Sequence, residues 1–334
     1  MPGRRTITTI DAHAGGEPLR LVTAGVPPLT GRTMLERRQE MLARHDQVRR
    51  TLMWEPRGHG DMYGAILTPP VTPGADYGVL FMHNEGYSTM CGHGIIALTT
   101  LLLETGMHPV PDATSAVIRY DTPAGPVTAR AGLADGRVTE VAFENVASFV
   151  FAPELTVETK FGTVAVAVVF GGAFYALVDA AEAGLEVRPE RIQDLIAFGM
   201  AVKRGVERQR DVVHPLEPGL RGIYGTIIGG VPSEGADGRN VTIFADGEVD
   251  RSPCGTGTAA RVAWLYATGR VGLGRPYVHE SVVGSRFVGR VLRETTVGAT
   301  PAIVPEISGR GYLTGFHTFV IEDDDPLGDG FLVR

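Results

Sequence analysis

Two short segments of this 334-residue chain repeat one another. The first is Met90-Cys-Gly-His-Gly-Ile-Ile-Ala97; the second is Pro253-Cys-Gly-Thr-Gly-Thr-Ala-Ala260. Both fit Cys-Gly-x-Gly-x-x-Ala, and both run into helix-compatible apolar stretches, Ile95–Leu103 and Ala259–Ala267. Each ends at a glycine 15 residues past its cysteine, Gly106 or Gly269. A glycine just beyond an apolar helical pattern is a helix stop. The pattern predicts two helices, each opened by a cysteine. The cysteines lie 163 residues apart, about half the chain. The simplest reading is two similar half-domains, each presenting one helix N-terminus.

A helix N-terminus carries unpaired N–H groups and partial positive charge. It should therefore stabilise a cysteine thiolate and lower the thiol pKa. It can also hold a substrate carboxylate, which the flanking glycines let approach the backbone. Two such ends facing each other would place two thiols on either side of one carbon. That arrangement suits taking a proton from one face and returning one to the other, with one thiol charged and one neutral at the start. A single cysteine is more often a small buried hydrophobe; it is the duplication that favours chemistry. Two other readings are weaker. A zinc site from Cys91, His93, Cys254 and His83 lacks any Cys-x-x-Cys or His-x-x-x-His pair. A dinucleotide loop needs a strand directly before the glycines and an acid about 20 residues on. Here Asp246 to Pro253 intervene, and the nearby acid is Glu280.

Elsewhere short apolar runs sit between Gly, Pro and Asp, predicting many short strands and tight turns. Examples are Leu19–Val22, Ala65–Leu67, Val79–Met82, Ala116–Tyr120, Val138–Phe143, Val241–Phe244 and Phe316–Ile321. The longest run without charges or histidine, Phe161 to Val178, is broken by Gly171-Gly172. It reads as two strands, Val164–Phe170 and Ala173–Val178, and as a poor membrane span. Helices are predicted at Thr33–Leu52 and Arg188–Arg204. The first puts Met34, Leu35, Met41, Leu42, Val48 and Leu52 on one face, and Arg37, Arg38, Glu40, Arg44 and Arg50 mostly off it, as a solvated face or an anion site.

A net charge of −7 argues against nucleic acid as a partner. Two cysteines make no disulfide framework. The two lysines, Lys160 and Lys203, leave few candidates for Schiff-base chemistry. The N-terminus has a basic start but no apolar core of a leader, so a cytoplasmic location without membrane contact is expected.

At these residues the chain resembles the proline racemase family, which includes proline racemases, 4-hydroxyproline 2-epimerases and trans-3-hydroxyproline dehydratases. The resemblance spans Ile10-Asp-Ala-His-Ala-Gly-Gly-Glu-Pro18, Glu55-Pro-Arg-Gly-His-Gly-Asp-Met62 and Asn84–Gly94. It continues through Phe170-Gly-Gly-Ala-Phe-Tyr175, Asp250-Arg-Ser-Pro-Cys-Gly-Thr-Gly257 and Asp325–Phe331. It implies an α/β (α+β) fold of the diaminopimelate-epimerase-like kind. In that fold two halves each wrap strands around a central helix, and the substrate sits between them. The halves are expected at 1–135 plus 312–334, and at 136–311. The resemblance also implies independence from metal and pyridoxal phosphate. It makes Cys91 and Cys254 the paired acid/base thiols, Gly92 with His93 and Gly255 with Thr256 the substrate-binding pairs, and Asp250 the carboxylate for the substrate's ring amine. Without it, Asp250 reads as a turn acid and His93 as a helix-start hydrogen-bonder.

The segments His83–Gly94 and Ile223–Ile227 are most similar to the dehydratases, which usually carry Thr where this chain has Cys254. The 4-hydroxyproline epimerases share the cysteine pair but commonly carry a His at the position of Thr226. The leading expectation is a cofactor-independent racemase or epimerase inverting Cα of proline or a hydroxyproline, a small imino acid. The alternatives are a trans-3-hydroxy-L-proline dehydratase using Cys91 as base, and a non-catalytic amino-acid-binding protein. No feature fixes an oligomeric state; a homodimer is possible, dimers being the commonest closed assembly.

Overall fold

The computed structural model describes residues 3–110 and 112–333. The expected domain limits at residues 1 and 334 lie outside the described residues. The chain divides into two compact units. The first takes residues up to Met90, Gly94–Val141 and those from Arg310 on; the second takes Cys91–His93 and Ala142–Gly309.

The first unit holds β1 (Arg4–Ala14), β2 (Glu17–Ala24), α1 (Met34–Arg44), α2 (Asp46–Met53), β3 (Tyr63–Thr68), β4 (Tyr77–His83) and the short β5 (Tyr87–Ser88). After α3 (Gly92–Glu104) come β6 (Ser115–Thr122), β7 (Gly125–Ala134) and β8 (Arg137–Glu144); the first two residues of α3 and the last three of β8 belong to the second unit. The second unit holds β9 (Phe149–Thr159), β10 (Gly162–Phe170), β11 (Phe174–Asp179), α4 (Ile192–Gln209), β12 (Gly225–Gly230), β13 (Gly238–Phe244) and the short β14 (Glu248–Asp250). It closes with α5 (Gly255–Ala267), β15 (Tyr277–Glu280), β16 (Arg286–Val297) and β17 (Thr300–Gly309). β18 (Gly311–Glu322) then returns to the first unit.

The two units are wired alike. In the first, β18, β1 and β2 pair antiparallel, β2 runs parallel to β3, β3 antiparallel to β4, β4 parallel to β6, and β6 antiparallel to β7. In the second, β9, β10 and β11 pair antiparallel, β11 runs parallel to β12, β12 antiparallel to β13, β13 parallel to β15, and β15 antiparallel to β16. The short β5 pairs with β4 as β14 pairs with β13. Parallel neighbours need a crossover connection, usually a helix. α1 and α2 supply it between β2 and β3, and α4 between β11 and β12. The cysteine-led helices supply the second one in each unit, α3 before β6 and α5 before β15.

α3 is buried from Gly92 to Leu103. A helix without a wet face belongs inside a core, and its run Gly-His-Gly-Ile-Ile-Ala-Leu-Thr-Thr-Leu-Leu-Leu offers no charged side to expose. α5 is buried from Gly255 to Ala260, and its Ala260, Val262 and Ala263 share a cluster with Val169, Tyr175, Ile227, Val291 and Ile303. Gly106 and Gly269 both adopt φ 71°, the left-handed conformation that ends each helix. Among the described residues no helix is long and apolar enough to cross a membrane.

Two sequence expectations need correction. The helix predicted over Thr33–Leu52 is broken at His45, whose φ −132° and ψ 16° end α1 and begin α2. Beyond the break, Leu52 and Met53 enter the first unit's core with Met34 and Met41, while Leu42 points outward, 53% exposed. The arginines of this region divide: Arg44 is solvated, its side chain 71% exposed, whereas Arg37 and Arg38 are tied down by the protein itself. Arg37 binds the Gly31 carbonyl (2.9 Å) and Thr68 (3.0 Å), and Arg38 binds the Tyr87 carbonyl (2.7 Å). The second predicted helix, Arg188–Arg204, starts as a 3₁₀ turn at Pro189–Arg191 and runs on to Gln209. Gly205 and Val206, buried beyond the expected end, carry it further.

Candidate active site

All seven residues singled out from the sequence fall in the second unit. Cys91 directly precedes α3, and its Sγ lies 3.2 Å from His93 Nδ1; both side chains are buried. Gly92, the first residue of α3, meets Gly255, the first residue of α5. A Cβ built on Gly92 would stand 2.5 Å from Gly255 Cα, and one on Gly255 would stand 2.4 Å from Gly92 Cα. No side chain fits between those backbones, so only glycine permits the approach. The two helix starts thus touch at the residue following each cysteine. Neither cysteine is in a disulfide.

Cys254 caps α5 in an unusual conformation, φ 63° and ψ 111°, one of four non-glycine residues with positive φ among the described residues. Backbone strain of this kind gathers at functional sites and persists only where surrounding contacts hold it. Those contacts are visible. Asp250 Oδ1 accepts from the Ser252 N–H (2.8 Å) and Oγ (2.7 Å), and Ser252 Oγ accepts from the Cys254 N–H (3.0 Å). On the other side, the Pro253 carbonyl accepts from Asn240 Nδ2 (3.1 Å) and Thr258 Oγ1 (3.3 Å). Thr258 Oγ1 also pairs with Nδ1 of the buried His279 (2.9 Å). Asp250, the last residue of β14 rather than a residue of the turn before it, thus holds the bend at 251–252, and it also stands close enough to Cys254 to affect its ionisation.

The Cys254 Sγ accepts from the Gly257 N–H (3.3 Å). The sequence expectation was a thiol pKa lowered by the helix start. For Cys254 the direction is the reverse. Burial pushes the thiol up, the Asp250 carboxylate adds to it, and the hydrogen bonds with Tyr175, Gly257 and Thr256 only partly offset them. Desolvation outweighs the helix end because the side chain is buried. Cys254 is consequently a neutral thiol near neutral pH.

Thr256 Oγ1 bonds the Tyr175 hydroxyl (2.6 Å), which also lies 3.7 Å from Cys254 Sγ. Tyr175, Ser252, Asn240 and His279 were not picked out from the sequence as site residues. Tyr175 ends the segment Phe170–Tyr175 and Ser252 lies within Asp250–Gly257, both of which carry the family resemblance; Asn240 and His279 act through contacts that no local pattern announces. Thr226, which stands where the 4-hydroxyproline epimerases commonly carry a histidine, is fully buried and donates to the Gly199 carbonyl of α4 (2.8 Å). His83 stacks on Tyr63 with ring centroids 5.7 Å apart, and its Nδ1 accepts from the Glu85 N–H. Among the described residues no three His, Cys, Asp or Glu side chains gather as a metal site requires. The Glu280 carboxylate, weighed as a ribose ligand, holds Ser233 instead.

The site thus combines an imidazole-paired thiol, a neutral buried thiol, and two helix starts in backbone contact. Comparison with known proteins identifies the family. The family model described as proline racemase matches residues 9–332. A trans-3-hydroxy-L-proline dehydratase of Bacillus cereus is 50% identical over 327 residues, covering 98% of each chain. A 3-hydroxyproline 2-epimerase of Burkholderia multivorans is 46% identical over 334 residues, covering 99% of each. The crystal structure of a hydroxyproline epimerase from Agrobacterium vitis with bound trans-4-hydroxy-L-proline superposes with a TM-score of 0.93 at 33% identity, covering 100% of this chain and 97% of that one. A PhzF-family phenazine biosynthesis protein of Bacillus anthracis, at TM-score 0.56 and 12% identity, shares the fold alone. The fold is the sheet-dominated α+β architecture of the diaminopimelate-epimerase-like group.

Proposed function

The chain belongs to the proline racemase family and is an enzyme of it, and from that premise we propose that it inverts Cα of proline or a hydroxyproline with two thiols and no cofactor. Cys91 takes the α-proton from one face as thiolate, and Cys254 returns a proton to the other face as thiol. The substrate carboxylate lies on the N–H groups of Gly92, His93, Gly255 and Thr256, where two helix ends supply positive potential. The Asp250 carboxylate receives the ring ammonium. The observation that carries this reading is the backbone contact of Gly92 with Gly255, which brings both cysteine-led helix starts to one place. The environments of the thiols support a division of labour. His93 Nδ1 at 3.2 Å can hold the Cys91 proton as imidazolium, whereas burial and Asp250 keep Cys254 protonated.

A second reading, dehydration of trans-3-hydroxy-L-proline, is favoured by the activity named for the Bacillus cereus relative. It needs one base at Cα and loss of the Cβ hydroxyl, and Cys91 alone supplies that base. One experiment separates the two. Wild type, Cys91→Ser and Cys254→Ser are incubated in deuterium oxide with L- and D-proline, trans-4-hydroxy-L-proline and trans-3-hydroxy-L-proline. Cα deuteration, optical rotation and pyrroline-2-carboxylate are followed. Inversion by wild type and its loss in both variants is expected. Normal inversion by either variant would reject the two-thiol mechanism, and pyrroline-2-carboxylate without inversion would select the lyase.

A further inference from the structure

The proton-donor role given to Cys254 poses a physical problem. Once its proton leaves, a thiolate remains in a buried site, beside the Asp250 carboxylate. An unsolvated buried charge is costly, and among the described residues one backbone N–H, that of Gly257, reaches it as the helix cap. Two side-chain hydroxyls close a triangle with the sulfur. The Tyr175 hydroxyl lies 2.6 Å from Thr256 Oγ1 and 3.7 Å from Cys254 Sγ, and Thr256 Oγ1 lies 3.8 Å from the same sulfur. All three side chains are buried. The Tyr175 ring is wedged edge-on against Tyr224, with centroids 5.8 Å apart and planes at 90°.

We propose that Tyr175 and Thr256 form a reversible hydroxyl pair that solvates the Cys254 thiolate, with Tyr175 as the positioning residue that tunes this thiol. The inference rests on the two-thiol reading above. With the thiol intact, Sγ–H points to the Tyr175 oxygen and the Tyr175 O–H points to Thr256. When Sγ gives its proton to Cα, the Tyr175 O–H turns from Thr256 to the sulfur, and the Thr256 O–H turns to the Tyr175 oxygen. No proton leaves either oxygen; only hydroxyl rotors move. Because the ring is already fixed by packing, the donor is preorganised and costs no reordering during turnover. A buried Tyr–Thr hydrogen bond serving packing alone would satisfy both hydroxyls without any effect on the sulfur.

The test isolates the thiol. In the Cys91→Ser background, Cys254 is the sole cysteine, and its alkylation by iodoacetamide at a fixed alkaline pH reports its thiolate fraction. Tyr175→Phe keeps the ring and removes the donor. It should slow alkylation about tenfold, one unit of thiol pKa being tenfold in thiolate. In the enzyme with both cysteines, it should lower kcat for inversion at Cα and leave KM nearly unchanged. Alkylation at an unchanged or higher rate, or a loss confined to KM, would overturn the proposal. Should Tyr175→Phe not fold, Thr256→Val removes the second hydroxyl at equal size, and Thr256→Ser restores it. Alkylation should slow in the first and recover in the second; equal rates in both would overturn the proposal. Absence of any Cα exchange by wild type would instead defeat the two-thiol reading, whatever the alkylation rates.

Discussion

Replacing Gly255 by alanine tests the contact between the helix starts. A Cβ there would stand 2.4 Å from Gly92 Cα, 2.7 Å from its carbonyl carbon and 3.0 Å from the His93 nitrogen. Carbon atoms in comfortable contact are about 3.5–4.0 Å apart, so the two backbones must part by about 1 Å. None of the three opposing atoms is the end of a flexible side chain. Overpacking of this kind costs about 1–3 kcal/mol, and the helix preference of alanine over glycine returns up to about 1 kcal/mol. The net loss of stability is therefore modest, about 0–3 kcal/mol by the same two estimates. The functional loss should be much larger, because about 1 Å of misplacement can cost on the order of 100-fold in rate. Thermal unfolding and kcat for Cα deuterium exchange, measured at a temperature where the variant is folded, separate the two effects. Gly60→Ala, whose Cβ would meet nothing within 4 Å, is the control and should change neither. A Gly255→Ala enzyme with kcat and Tm close to wild type would refute the close approach of the helix starts.

Other perturbations follow from the same geometry. Burial, with a smaller contribution from Arg261, pushes the His279 imidazole down to about 3. The unfolded chain binds that proton near pH 6.5, so His279 contributes stability that is full above about pH 6.5 and is lost as pH falls toward about 3. Urea midpoints should show wild type losing about 2 kcal/mol more than His279→Gln on going from about pH 8 to about pH 5; equal losses would contradict a neutral buried ring. Thr226→Val removes a buried bond to the Gly199 carbonyl and should cost about 1–2 kcal/mol, with no change in preference among the prolines; a changed preference would make Thr226 a substrate contact. Cys254→Thr should abolish inversion, a threonine hydroxyl being too weak an acid to exchange protons reversibly. Dehydration of trans-3-hydroxy-L-proline, if present in wild type, should survive it, and inversion by this variant, read by optical rotation, would remove Cys254 from the mechanism.

Much of this architecture is legible in the sequence because the chain states it twice. The cysteine, glycine and alanine spacings that predict α3 and α5 are local, and so are the closing glycines Gly106 and Gly269, which adopt the same φ of 71°. Runs such as Val79–Met82 and Val241–Phe244 lie within β4 and β13, the matching strands of the two units. What escaped reading depends on distant partners. The break at His45 is set by packing that turns Leu52 and Met53 inward, while the pattern of apolar residues continues through it. Arg38 looks like a surface charge until Tyr87, remote in sequence, supplies its carbonyl. The direction of the Cys254 ionisation is hidden from the sequence for the same reason. A helix N-terminus is visible in a sequence, whereas the burial that outweighs it comes from residues such as Tyr175, Ile227 and Ala260 packed in one cluster.

The most direct measurement is a crystal structure with pyrrole-2-carboxylate, a planar mimic of the Cα carbanion. The account predicts its carboxylate on the N–H groups of Gly92, His93, Gly255 and Thr256, its ring nitrogen toward Asp250, and the two sulfurs on opposite faces of its C2 atom. A ligand bound with either sulfur remote from C2, or with both sulfurs on one face, would contradict it.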